Sequence, residues 1–137
     1  MAIKLIIPGE PVAKARPRIT KYGAYTPAKT KNYESLVKEL YFIKHGQTLL
    51  EGQLKAVIKA YFTIPKSTSK KRRALMLSGD IRPVKRPDWD NIGKIVTDAL
   101  NEVAYKDDSQ IVTATVEKYY SEKPRVEVEI NKIKGGN

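Results

Sequence analysis

Four residues able to do chemistry crowd into one short run. Asp88, Asp90, Lys94 and Asp98 lie within Arg86-Pro87-Asp88-Trp89-Asp90-Asn91-Ile92-Gly93-Lys94-Ile95-Val96-Thr97-Asp98-Ala99-Leu100, and the pair Asp107-Asp108 follows. Carboxylate oxygens are hard ligands, and Mg²⁺ is held by one or two of them together with waters and phosphate oxygens. Asp88 and Asp90 flank Trp89 where a helix should start, and side chains two apart on extended backbone point the same way. On a helix turning by about 100° per residue, Ile92, Ile95, Val96, Ala99, Leu100 and Val103 share one face, and Asp90, Lys94 and Asp98 the opposite one. The apolar stripe can be buried while the polar stripe meets a ligand. A cation held there would polarise a phosphodiester and acidify an attacking water, which is metal-assisted hydrolysis.

Each of these residues also has a plainer reading. An aspartate at a helix start can cap it and complement its dipole. Lys94 can pair along the helix with Asp90 or Asp98, and Asp107-Asp108-Ser109 can be a turn before a strand. The surroundings favour chemistry. Lys and Arg number 26 against 15 Asp and Glu, for a net charge of +11, and such an excess attracts polyanions. Nucleic acid is the leading partner. A membrane surface is not, because no basic helix carries a bulky apolar face. An acidic, cation-binding cluster set in a phosphate-attracting surface is what a nuclease requires. The candidate phosphate contacts are Lys14, Arg16, Arg18 and Lys21 in an N-terminal loop, Lys70, Lys71, Arg72 and Arg73 in a second basic run, and Lys85 and Arg86 before the acidic helix. A merely solvated basic surface is the alternative.

The elements that must position these residues follow from periodicity and breakers. Ile3 to Ile7 reads as a strand. A long loop follows, broken by Pro11, Pro17, Gly23 and Pro27. A helix is expected from near Thr30 to about His45, stopped by Gly46. Leu54 to Ile64 is rich in β-formers and ends at Pro65. A short basic helix covers Ser67 to Leu77. Arg82 to Pro87 is extended, and the acidic helix runs from Asp90 to Val103. Two strands, Gln110 to Tyr120 and Arg125 to Ile133, close the chain around a turn at Ser121 to Pro124. The tail from Lys134 to Asn137 is expected to fray. The order predicts one α/β (α+β) domain over residues 1–137, with helices packed on a mixed sheet.

With 137 residues the chain can bury a core without disulfides, and it has no cysteine for a disulfide or thiolate site. No apolar run approaches the roughly 20 residues that span a bilayer, and the N-terminus lacks a signal-peptide pattern, so a cytoplasmic location is expected. Among the aromatics, Trp89 can stack on a splayed base or anchor the loop, and Tyr22 and Tyr25 can wedge a branch point or staple the loop. His45, near a helix end, carries no catalytic role.

The run from Pro87 to Leu100, followed by Asp107-Asp108, resembles the RusA family of Holliday junction resolvases. Their motif reads Pro-Asp-x-Asp-Asn-(Leu/Ile)-x-Lys-x-x-x-Asp-(Ala/Gly)-Leu with an Asp-Asp pair downstream. Pro8 to Arg18 and Tyr25-Thr26-Pro27 are also similar to family members, so the resemblance covers most of the chain. It implies a homodimeric, Mg²⁺- or Mn²⁺-dependent endonuclease of DNA recombination and repair that nicks four-way junctions symmetrically. Many family members are encoded by phages or prophages. The essential acids map onto Asp88, Asp90 and Asp108 as metal ligands, and the essential lysine onto Lys94. Asp98 and Asp107 are supporting acids. Because the spacing from Asp98 to the Asp-Asp pair varies in the family, Asp107 remains an alternative ligand to the favoured Asp108. Two other readings stay open: a non-catalytic DNA-binding module of the same fold, and a metal-dependent nuclease of flaps or other branched DNA.

Overall fold

Alternating burial builds the sheet. In β1 (Ala2–Pro8) Ile3, Leu5 and Ile7 point inward; in β4 (Leu54–Thr63) Leu54, Ala56, Ile58, Ala60 and Phe62 do so; in β6 (Arg125–Lys132) Val126, Val128 and Ile130 do so. This is the period-two pattern of strands covered on one face. The computed structural model describes residues 2–134 and, with β5 (Ile111–Ser121), orders the strands β1-β6-β4-β5. Neighbours are antiparallel except β4 and β5, which are parallel.

The last two strands are therefore not a paired hairpin. β5 ends with Ser121 opposite Thr63 and β6 begins with Arg125 opposite Tyr61. The turn at 122–124 steps over the end of β4, which lies between them.

Two helices seal the buried face. α1 (Ala28–His45) buries Thr30, Tyr33, Val37 and Tyr41, a stripe that recurs every three or four residues as helix geometry requires. α3 (Trp89–Ala99) buries Ile92, Ile95, Val96 and Ala99. These side chains and the inward strand residues make one continuous core. α2 (Lys70–Ser78) lies against β5. Ser69, whose hydroxyl accepts from the Arg72 amide, starts it, and Gly79 at φ 88° stops it.

The structure corrects two boundaries and adds one element. α2 begins at Lys70, not Ser67, because Ser69 serves as its cap. α3 ends at Ala99, not Val103, although Val103, Ala104 and Tyr105 stay buried. There the chain turns back, Glu102 adopts φ 62°, and the Tyr105 hydroxyl donates to the Thr97 carbonyl at 2.6 Å, satisfying one acceptor that the helix end leaves free. The N-terminal loop holds a small hairpin, β2 (Arg18–Thr20) with β3 (Gly23–Tyr25), whose six residues are all exposed. The expectation of a frayed tail at 135–137 lies outside the described residues.

Candidate active site

The start of α3 is the first half of the site. Asp88 is the N-cap residue, with extended backbone (φ −70°, ψ 154°), but its side chain makes no capping bond. The capping reading thus accounts for the position and not for the carboxylate. Asp88, Trp89 and Asp90 are all exposed, and among the described residues neither carboxylate is held in an ion pair. Trp89 is 64% exposed, so it does not anchor the loop.

The segment leading to Asp88 is pinned to β5. Arg82 Nε donates to the Lys118 carbonyl at 2.7 Å, and Lys118 Nζ donates to the Lys85 carbonyl at 2.5 Å. The Arg82 guanidinium also lies 4.2 Å from the Tyr119 ring centre, a favourable cation–π distance. Burial lowers the pKa of the Lys118 ammonium, an effect opposed by the Asp88 carboxylate. Lys118 is a site residue that the sequence reading missed. Its signal was present: strand alternation puts it on the same face as Val116 and Tyr120, which pack on the core, an unusual place for a lysine.

The second half lies at the other end of the polar stripe. Lys94 Nζ is 3.4 Å from Asp98, and Lys14 Nζ lies 2.8 Å from Glu34 and 3.7 Å from Asp98. Asp108 reaches this group from the turn before β5. Its amide donates to Asn101 Oδ1 at 2.8 Å. Burial raises the Asp108 pKa; the neighbouring Asp98 carboxylate and the charge of Asp107 add to this, and Lys94 opposes it.

Asp107 behaves differently. It caps the 3₁₀ turn Asp108–Gln110 in a capping box with Gln110, and its bonds from Ser109 lower its pKa. Of the two neighbours, Asp107 shapes the turn and Asp108 faces α3.

The acids expected to act together are thus divided. Asp98, the partner of Asp108, lies eight residues beyond Asp90, about 12 Å along a helix rising roughly 1.5 Å per residue. Among the described residues no three acidic or histidine side chains gather closely enough to cage an ion. Asp88 and Asp90 form one pair, Asp98 and Asp108 another, and Lys94 stands one turn from each.

The expected phosphate contacts also separate. Lys14 is turned to Glu34 and Asp98. Arg16, Arg18 and Lys21 are exposed on the loop and hairpin, and Lys70, Lys71 and Arg72 are exposed on α2. Arg73 pairs with Glu122 at 3.0 Å. Lys85 and Arg86 are exposed just before Asp88. Tyr22, at the hairpin tip, is 89% exposed and staples nothing. His45 contacts the Lys4 carbonyl at 2.9 Å, away from the acids. No helix among the described residues is long and apolar enough to cross a membrane.

The chain is 42% identical to the uncharacterized protein YqaN of Bacillus subtilis (strain 168), over 96% of each chain. The family model for endodeoxyribonuclease RusA matches residues 8–131, a span that holds the N-terminal basic loop and both carboxylate pairs. The chain belongs to the RusA endodeoxyribonuclease family, and so to the nucleases.

Proposed function

We propose that this protein is a cytoplasmic, Mg²⁺-dependent endonuclease that resolves four-way DNA junctions by paired symmetric nicks in recombination and repair, acting as a homodimer. The observation that carries the catalytic reading is the Asp88 carboxylate, placed at a helix start yet left out of capping, beside an equally free Asp90. Two exposed carboxylates fit the one or two that Mg²⁺ takes from a protein when phosphate and water complete its shell; Mn²⁺ suits the same donors. Bound there, the ion supplies neutralisation of phosphate charge and acidification of a water.

The chain's own residues do the rest. Lys94, one turn beyond Asp90, offers a point charge to the scissile phosphate as negative charge develops. Asp108 serves the same reaction from the far end of the stripe, and Asp98 holds Lys94 and Asp108 in place. Lys118 and Arg82 fix the segment that presents Asp88. Arg16, Arg18 and Arg86 attract backbone phosphates. A junction needs two opposed nicks, and a two-fold dimer presents two identical sites to a pseudo-symmetric substrate.

The test is incubation with a labelled four-way junction, with and without Mg²⁺, for wild type and Asp90→Asn. Wild type should nick only with the ion, and the variant should bind without nicking. Binding without any nicking by wild type would favour the non-catalytic module, and preference for a flap would favour the other nuclease reading.

A further inference from the structure

A basic groove reaches Arg86 and Pro87, the residues immediately before Asp88 in the chain. It has a volume of about 580 Å³ and lies between the N-terminal loop, the start of α1 and the segment before α3. Pro11, Pro27, Pro87, Ala13 and Ala15 are among its lining residues. Four cations line it, Arg16, Arg18, Lys29 and Arg86, and no carboxylate does. A second hollow, lined mainly by outward-facing strand residues, mixes Lys4, Lys44 and Lys59 with Glu127 and Glu129, so it has no comparable pull on an anion. Lys14, on the same loop, is already engaged by Glu34 and Asp98. The groove's own four cations are in no ion pair among the described residues.

We infer that this groove holds the sugar–phosphate backbone of the strand being cut, where that strand runs up to Asp88. The inference rests on the nuclease reading above and assigns its substrate subsite. The chemistry suits a backbone. Guanidinium groups bind phosphate oxygens in pairs, and the prolines and alanines among the lining residues add no side-chain donor or acceptor. Contacts of this kind set register and affinity without sequence information. Three of the four cations come from segments distant in sequence from Arg86, so the groove exists only in the folded chain. Lys29 enters the DNA-binding set through it.

The test measures binding apart from cutting. In an Asp90→Asn background with chelator, affinity for a four-way junction is titrated against salt for the parent, Arg16→Gln/Lys29→Gln and Arg86→Gln. Lys38→Gln, on an exposed face of α1, is the charge-matched control. Each phosphate deprived of its cation should lower the slope of log affinity against log salt by about 1. The slope should therefore fall by about 2 in the double variant and by about 1 in Arg86→Gln, and affinity at low salt should weaken about tenfold for each cation removed, with Lys38→Gln unchanged. All these side chains are exposed, and circular dichroism checks each fold; were the double variant unfolded, Arg86→Gln carries the test. Affinity and slope within twofold and 0.3 of the control would overturn the inference, as would a parent that binds no DNA. Failure of the nuclease reading shows separately, as normal binding by a wild type that never nicks.

Discussion

Lys94→Ala separates a catalytic lysine from a structural one. The structural share is small. The Lys94–Asp98 contact is 3.4 Å long, joins residues four apart on α3, and leaves the lysine side chain 61% exposed. Exposed helical pairs of this kind contribute about 0.3–0.5 kcal/mol, which in a chain of this size lowers Tm by roughly 1–2 °C. Asp98 would still have Lys14 at 3.7 Å, so its charge would not be stranded. The catalytic share is much larger. Removing one preformed donor to developing charge costs about a hundredfold or more in rate, near 2.7 kcal/mol. Single-turnover nicking at saturating enzyme, alongside a thermal melt, compares the two. The expected result is a loss of about a hundredfold with a melt shift under about 3 °C. Lys94→Arg, which keeps the charge but not the point geometry, should fall between. A Lys94→Ala rate within twofold of wild type would refute this reasoning and leave Lys94 an ion-pair partner only.

Other perturbations probe other links. Ile95 is fully buried in α3, so Ile95→Ala should cost about 2–5 kcal/mol, measured by urea denaturation; a cost under about 1 kcal/mol would mean that α3 is not anchored through this face. Asp107→Ala should remove the capping box and cost about 0.5–2 kcal/mol while nicking at permissive temperature persists, whereas Asp108→Asn should abolish nicking and keep junction binding; the reverse pattern would make Asp107 the functional acid. Asp108 also predicts a pH dependence. Its pKa is raised on folding, chiefly by burial and then by Asp98, so its ionisation opposes the folded state: the stability it contributes is present below the ordinary carboxylate pKa and lost as pH rises through the raised value. In chelator, Asp108→Asn should therefore be the more stable protein near pH 7 and lose that advantage near pH 3, and denaturation midpoints showing no such convergence would contradict the raised pKa.

Much of the positioning was legible because burial is periodic. The alternation in Ile3 to Ile7 and the apolar stripe of Ile92, Ile95, Val96 and Ala99 read directly as a strand and a helix, and both elements are present. The small hairpin at 18–25 was not legible, because every residue in its strands is exposed and neither face carries an apolar signal. The end of α3 was missed for the opposite reason. Val103 continues the helical stripe but is buried by a chain reversal, which Tyr105 stabilises through Thr97. Position between strands was also hidden: nothing local in Ser121 to Pro124 says that β4 will lie between β5 and β6. The motif holds Asp88, Asp90 and Asp98 and leads to the Asp107-Asp108 pair, yet their division into two pairs depends on where the 108–110 turn docks against the far end of α3. Lys14 shows the same limit. Its loop reads as a phosphate contact, and only the fold brings Glu34, twenty residues away, to its ammonium.

The most direct test of the central claim is a nick map on one mobile-core four-way junction, with a duplex of the same sequence beside it. Purified wild type with Mg²⁺ should place nicks at symmetry-related positions on one pair of opposing strands, leave the duplex intact, and sediment as a dimer at the working concentration. Asp88→Asn should bind the junction and leave every strand whole. Equal cutting of junction and duplex, nicks on single unpaired strands, or full activity in Asp88→Asn would contradict it.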